Sequence, residues 1–200
     1  MVNIVFWAVY EQQGNTLQLW ADQNTRWTFL GFQVPSSWYQ AFNPAFIFLF
    51  APLMNRFWGW QDKRGGEPSS VTKMGIGCVL LGGAFLIMIA ATRAVGPGEQ
   101  GSLLWLVSTT WFFTMGELYL SPIGLSLVTK VAPARMVSML MGMWFLSSFF
   151  GNYLSGFIGG FYETMNKDAF FTLLMALGVG SGLIFFAANK PLRDAIGHDV

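Results

Sequence analysis

Six apolar stretches follow one another along the 200 residues, at about 1–21, 36–55, 74–92, 102–129, 136–162 and 169–189, with polar punctuation between them. Crossing ~30 Å of hydrocarbon takes roughly 20 helical residues, and each stretch is about that long. None carries the polar stripe of period 3.6 that a helix on the surface of a soluble protein needs. The first stretch holds a single charge, Glu11, the fourth a single charge, Glu117, and the fifth and sixth none. The pattern predicts an all-α membrane protein, one bundle of six transmembrane helices with both ends on the same side. Pro44 and Pro52 predict bends in the second helix. Gly151, Ser155 and Gly159 recur every fourth residue on the fifth, and Gly178 and Gly182 lie on the sixth. Such small-residue faces let membrane helices approach closely, so these two helices are expected to pack on each other.

Composition supports that class: 54% of residues are hydrophobic, 17% aromatic and only 10% charged, far from the soluble average. Eleven bases against ten acids leave a net charge of +1, too little field to hold nucleic acid. One cysteine, Cys78, and one histidine, His198 in the tail, exclude a structural zinc and an internal disulfide. Where the bases fall is more telling. With the N-terminus in the cytoplasm, Arg56, Lys63, Arg64, Lys73, Lys130, Arg135, Lys190 and Arg193 lie inside, and only Arg26, Arg93 and Lys167 outside. Cytoplasmic loops keep the excess of Lys and Arg, so both termini are expected there. The start lacks the basic, apolar and small-residue sequence of a cleaved signal. The chain is expected to stay whole in an inner or plasma membrane. Gly65–Ser70 reads as a cytoplasmic loop, Gly96-Pro97-Gly98 as a tight external turn. Trp27, Trp38 and Tyr39 read as headgroup anchors.

A few residues sit where hydrocarbon makes them expensive. A mid-span carboxylate costs about 2.5 to 3.5 kcal/mol on insertion scales, and it asks for a partner. Glu117 is such a group, with Ser121 one turn onward and Gly124 just beyond, so that acid, hydroxyl and missing bulk would face one cavity. No Lys or Arg lies at mid-membrane in the six stretches. Its partner is then a ligand cation, a proton or a base from another bundle, unless it is neutral or paired within its own. Glu11 lies among Tyr10, Gln12, Gln13 and Asn15, a wet gate position. Asp22 is either a second gate acid or a solvated helix end. Asn43, beside Pro44, contacts a ligand or bonds another helix. Trp7 and Trp144 fall inside spans, where each indole N–H needs an acceptor or a cavity. Asn152 reads as glue between helices. The first and fourth stretches each open a half with one glutamate, as in an inverted three-plus-three repeat.

Specific motifs go further. Gly116-Glu117-Leu118-Tyr119-Leu120-Ser121-Pro122-Ile123-Gly124-Leu125-Ser126 resembles the tenth membrane helix of the proton-dependent oligopeptide transporters, a branch of the major facilitator superfamily. Phe6-Trp7-Ala8-Val9-Tyr10-Glu11-Gln12 resembles the seventh helix, Val34-Pro35-Ser36-Ser37-Trp38 into Asn43-Pro44 the entry to the eighth, and Gly142-Met143-Trp144-Phe145-Leu146 the eleventh. Arg64–Ser70 is similar to the loop between the eighth and ninth. The resemblance covers nearly the whole chain. It implies the C-terminal six-helix half of a proton-coupled carrier of di- and tripeptides. The proton is its coupling ion, no cofactor is needed, and its partner is an N-terminal six-helix half in the same bilayer. It further implies that Glu117 and Asn43 bind the peptide's amino end, and that Trp7, Trp144 and Phe145 wall a side-chain pocket beside Ser121. Glu11, or by register Asp22, closes the outer gate against a base of the first half. The family's first-helix motif of paired glutamates, an arginine and tyrosines does not occur in these residues.

The expected function is therefore half of a symporter working by alternating access. The rival is a non-transporting six-helix membrane protein, a truncated product or a scaffold with structurally buried acids. Two copies forming one carrier would set two Glu117 groups around one cavity with no base, which like charges disfavour. No Ser, Cys or Asp stands beside the single histidine and no phosphate-cradling loop occurs, so catalysis is not expected.

Overall fold

A computed structural model describes residues 2–29, 31–96 and 98–196, with side chains throughout except at 29 and 192–196. The expected start at Met1, Pro97 of the turn, the side chain of Arg193 and His198 lie outside this set. The chain folds as helical rods: α1 (Val2–Tyr10) and α2 (Thr16–Asn24), then α3 (Phe42–Lys63), α4 (Ser70–Ala94), α5 (Leu104–Val131), α6 (Val137–Gly159) and α7 (Lys167–Ile196). Helices 70–94 and 167–191 are long and apolar enough to cross a membrane on those measures alone. The other long rods, α3, α5 and α6, each carry tryptophan, which α4 and α7 lack and which lowers their mean hydropathy.

The first apolar stretch is not one helix. It breaks into α1 and α2 across a 3-10 turn at Glu11–Gln13, with Gly14 and Asn15 between. Buried side chains tie the break to its neighbours: Gln12 Nε2 donates to Ser155 O and Ser155 Oγ, both at 3.0 Å, and Gln12 Oε1 accepts from Thr16 Oγ1 at 2.8 Å. After α2, two antiparallel strands of two residues each, β1 (Thr28–Phe29) and β2 (Phe32–Gln33), form a ribbon. Gly31, at φ 85°, supplies the left-handed turn conformation. A 3-10 turn at Ser36–Ala41 then leads into α3.

Pro44 does not bend its helix. It sits in the first turn of α3, where a missing N–H costs nothing, and so marks the start of that helix. Pro52 is the interior one. Helix α3 ends in a Schellman cap, Gly66 N–H bonding Gln61 O and Gly65 N–H bonding Asp62 O, with Gly65 at φ 64°. Ser69 then caps α4, accepting from Thr72 N–H at 3.2 Å.

Small residues are contact faces, but the fifth and sixth helices do not use them on each other. Gly151 of α6 lies against α1: a Cβ there would come within 2.4 Å of Trp7 Cβ. Gly178 of α7 lies against Gly82 of α4, where a Cβ would come within 2.6 Å of the Gly82 Cα. Spacing of small residues marks a face without naming its partner. The core runs through α1, α4, α5 and α7, with Phe6, Leu81, Phe85, Phe113, Leu120 and Phe171 fully buried. Helix α3 buries only Asn43, and α6 only Gly151, Ser155 and Ile158. Both expose large apolar side chains, among them Phe48, Phe149 and Phe157.

Tyr39 is also not the anchor expected: it is fully buried against Phe42, while Trp38 stays 61% exposed. Trp27 donates its indole N–H to Ala21 O at 2.7 Å. Lys73, buried at the base of α4, pairs with Glu67 and lies 5.0 Å from the Trp58 ring. Glu67→Gln should strand a buried ammonium and lower stability by about 3 kcal/mol, read as a fall in melting temperature of the detergent-solubilised protein.

Candidate functional site

Helix α5 carries Glu117 at its midpoint, and three other segments bring polar groups to it. Tyr10, the last residue of α1, donates its phenol O–H to Glu117 Oε2 at 2.6 Å. Asn43, in the first turn of α3, places Nδ2 3.1 Å from the same Oε2 and 2.6 Å from Tyr10 Oη. Gln13, from the break in the first rod, offers Oε1 to Asn43 Nδ2 at 3.2 Å. The break thus has a positional result: it turns Gln13 toward α3 while Gln12 faces α6.

The surroundings are aromatic, with Asn43 and Gln13 buried and Tyr10 and Glu117 half-buried. Tyr10 stacks on Phe6 with centroids 5.9 Å apart, meets Trp7 edge-on at 5.4 Å and lies 6.1 Å from the Phe113 ring. Asn43 is 5% exposed, and its Oδ1 is buried without a hydrogen-bond partner among the described residues. The ion pairs found among those residues are Lys73–Glu67 and Arg93–Asp168, both away from Glu117. Glu117 therefore accepts hydrogen bonds from neutral donors and faces no cation there. Low dielectric strengthens its attraction for any cation that arrives. Among the described residues no group of three or more His, Cys, Asp or Glu is placed to hold a metal ion.

Of the residues singled out in the sequence, Glu117 and Asn43 are brought into contact, and Trp7 lies one ring away through Tyr10. The Trp7 indole Nε1 is buried without a partner among the described residues. Trp144 is placed differently. Its ring fills the space over Gly124, where a Cβ would come within 2.0 Å of Cη2. That glycine is a socket for the indole, and the expected gap beside Ser121 is taken. Trp144 also lines a cavity of about 380 Å³ with Asn3, Leu127, Leu140, Met143 and Ser147. Phe145 is 60% exposed and projects about 100° around the helix from Trp144. Ser121 is half-buried and in none of the hydrogen bonds found.

Glu11 lies beside Asn152, whose Nδ2 is 3.5 Å from Oε1. Asp22 is exposed, accepts from Gln18 Nε2 at 3.1 Å, and bonds Ser36 Oγ, tying α2 to the 3-10 turn before α3. Tyr10 and Gln13 were not singled out as site residues. The available signal was a phenol and an amide within an apolar stretch; which of four neighbouring polar residues faces α5 depends on the break at 11–15. A larger cavity of about 770 Å³ lies apart from this cluster, bounded by Arg26, Trp27, Trp38, Phe42, Gln100 and Leu103.

The cluster's setting is matched by the chain as a whole, which fits the family model described as the POT family over residues 1–177. The chain belongs to the POT family. It is 34% identical over 198 residues to a di-/tripeptide transporter of Lactococcus lactis subsp. cremoris, covering 97% of this chain and 39% of that protein. It is 39% identical over 170 residues to the peptide transporter YePEPT of Yersinia enterocolitica, covering 84% of this chain and 33% of that one. Among solved structures, a peptide transporter POT in complex with sulfate superposes with a TM-score of 0.88 at 30% identity, over 98% of this chain and 39% of that one. A POT family transporter in complex with 5-aminolevulinic acid superposes with a TM-score of 0.85 at 25% identity, over 95% of this chain and 39% of that one. The chain thus spans a third to two fifths of the length of these POT relatives. POT family proteins are integral membrane transporters, in keeping with the apolar rods.

Proposed function

We propose that this chain is the C-terminal half of a proton-coupled symporter for di- and tripeptides, in which Glu117 and Asn43 receive the peptide's amino end. One observation carries the reading: a carboxylate at the middle of a rod meets only neutral donors, next to a buried amide oxygen with no partner. An ammonium group supplies what both lack, since charge-assisted bonds to a carboxylate in a dry site are the strong ones. Trp7, Trp144 and Phe145 bound the side-chain space, with Ser121 on the same rod as Glu117. Glu11 is the gate acid, because Asp22 already serves to hold α2 against the turn that follows.

The carrier has six spans in this half, with both termini in the cytoplasm, and a further six-helix half opposite that holds the peptide's carboxylate and shares the coupling proton. Its repeat is three plus three. Pairing α1 with α5, α3 with α6 and α4 with α7 maps the α4–α5 contact onto α7–α1 and the α1–α6 contact onto α5–α3, which supports the repeat, while the α1–α4 and α5–α6 contacts have no counterpart of like size. Such symmetry is the usual basis for alternating access by rocking.

Asn43→Leu in the complete carrier should weaken peptide binding about tenfold, the value of one hydrogen bond to a charged group, measured by calorimetry. Unchanged affinity removes Asn43 from the site. The rival, a six-helix membrane protein without transport, draws on the short share of the relatives' length. Six further spans with a paired-glutamate motif upstream in the reading frame favour the carrier; a stop codon there favours the rival.

A further inference from the structure

The two ends of the Asn43 amide have opposite surroundings. Nδ2 is within reach of Tyr10 Oη, Glu117 Oε2 and Gln13 Oε1, whereas Oδ1 is buried with no hydrogen-bond partner among the described residues. The amide is held in this orientation. A flip would press Oδ1 against the Glu117 carboxylate oxygen, which has no proton to give, and against Tyr10 Oη, whose proton is already on Oε2. The orphaned acceptor is therefore held in place, and a buried polar atom left so asks for an explanation.

Glu117 is divided in the same way. Both of its hydrogen bonds fall on Oε2, from Tyr10 and Asn43, and Oε1 receives none among the described residues. The Tyr10 ring is itself held by Phe6, Trp7 and Phe113, so its hydroxyl is a fixed donor. Two acceptors remain without a donor, one charged and one neutral, on two different rods. Each is one covalent angle away from the same Nδ2–Oε2 contact.

We infer that Tyr10 is a positioning residue: by occupying Glu117 Oε2 it holds Oε1 and Asn43 Oδ1 in a fixed pair, so that the site grips ammonium groups through two N–H donors at once. The inference rests on the amino-end reading of Glu117 and Asn43. It sets a chemical rule for the ligand class. Primary and secondary ammonium groups, with three and two N–H bonds, satisfy both acceptors. A tertiary ammonium, with one, satisfies a single acceptor and leaves the other unpaired.

The test uses the complete carrier and one dipeptide in three forms, with the amino end free, N-methylated or N,N-dimethylated. The free and N-methyl forms should bind within about threefold of each other, and the dimethyl form about tenfold or more weaker, the loss of one charge-assisted hydrogen bond. This series alone decides, whether or not any variant folds; equal binding of all three forms overturns the inference. Tyr10→Phe keeps the ring and loses the donor. It should weaken the free form about tenfold and leave the dimethyl form within about threefold, so that discrimination collapses. A uniform loss across the three forms assigns Tyr10 a structural role and also overturns the inference, with the amino-end reading intact. That reading falls separately, if Glu117→Gln leaves binding of the free form unchanged.

Discussion

Glu117→Gln in the complete carrier is expected to lower peptide uptake about 30-fold or more, with the protein still folded and in the membrane. The substitution is nearly isosteric, and an amide oxygen can still accept from Tyr10 and Asn43 as Oε2 does at 2.6 and 3.1 Å. Only the charge is removed. Truncating one member of a hydrogen-bonded charge pair costs about 2 to 5 kcal/mol, and among the described residues no other carboxylate bonds Asn43. The freed amide NH₂ would in addition point a donor at a ligand that brings donors of its own. A folded variant with ordinary uptake would leave Glu117 a structural acid satisfied by Tyr10 and Asn43.

The second large effect concerns packing. Gly77→Leu should destabilise the bundle by about 3 kcal/mol or more, because its Cβ would come within 2.7 Å of Gly116 O and 3.2 Å of Leu120 N. These are backbone atoms of α5 and have no rotamer to escape into. Leucine is the better helix former by less than about 1 kcal/mol, so the clash decides the sign. Gly83→Leu is the control: a Cβ there meets nothing within 4 Å, and the variant should melt at or slightly above the parent. Melting temperatures in detergent check both. Equal stability of the two variants would mean that α4 and α5 are not in backbone contact at this position.

What the sequence discloses and what it hides follow from the kind of signal each feature leaves. Glu117 was legible because hydrocarbon makes an unneeded carboxylate costly, whatever surrounds it. Asn43 was legible for the same reason, and the motifs around both residues placed the chain in its family. Tyr10 and Gln13 left no comparable mark, since a phenol and an amide in a partly polar stretch are ordinary. Their part depends on the 3-10 turn at Glu11–Gln13, whose bonds go to residues far along the chain, such as Ser155. Partner choice was hidden too. Gly151 and Gly178 announce close contact, but whether the neighbour is α1, α4 or another rod is set by the path of the whole chain. Local reading also misplaced Tyr39, which resembles an interfacial anchor until the 3-10 turn buries its ring against Phe42.

The central claim is that the Glu117 carboxylate meets an ammonium group. Calorimetry on the complete carrier, comparing one dipeptide with its analogue in which hydrogen replaces the amino group, tests it most directly when repeated on Glu117→Gln. The account predicts that the parent prefers the amine by about 30-fold or more and that the variant loses most of that preference. A preference for the amine that survives unchanged in the variant contradicts it.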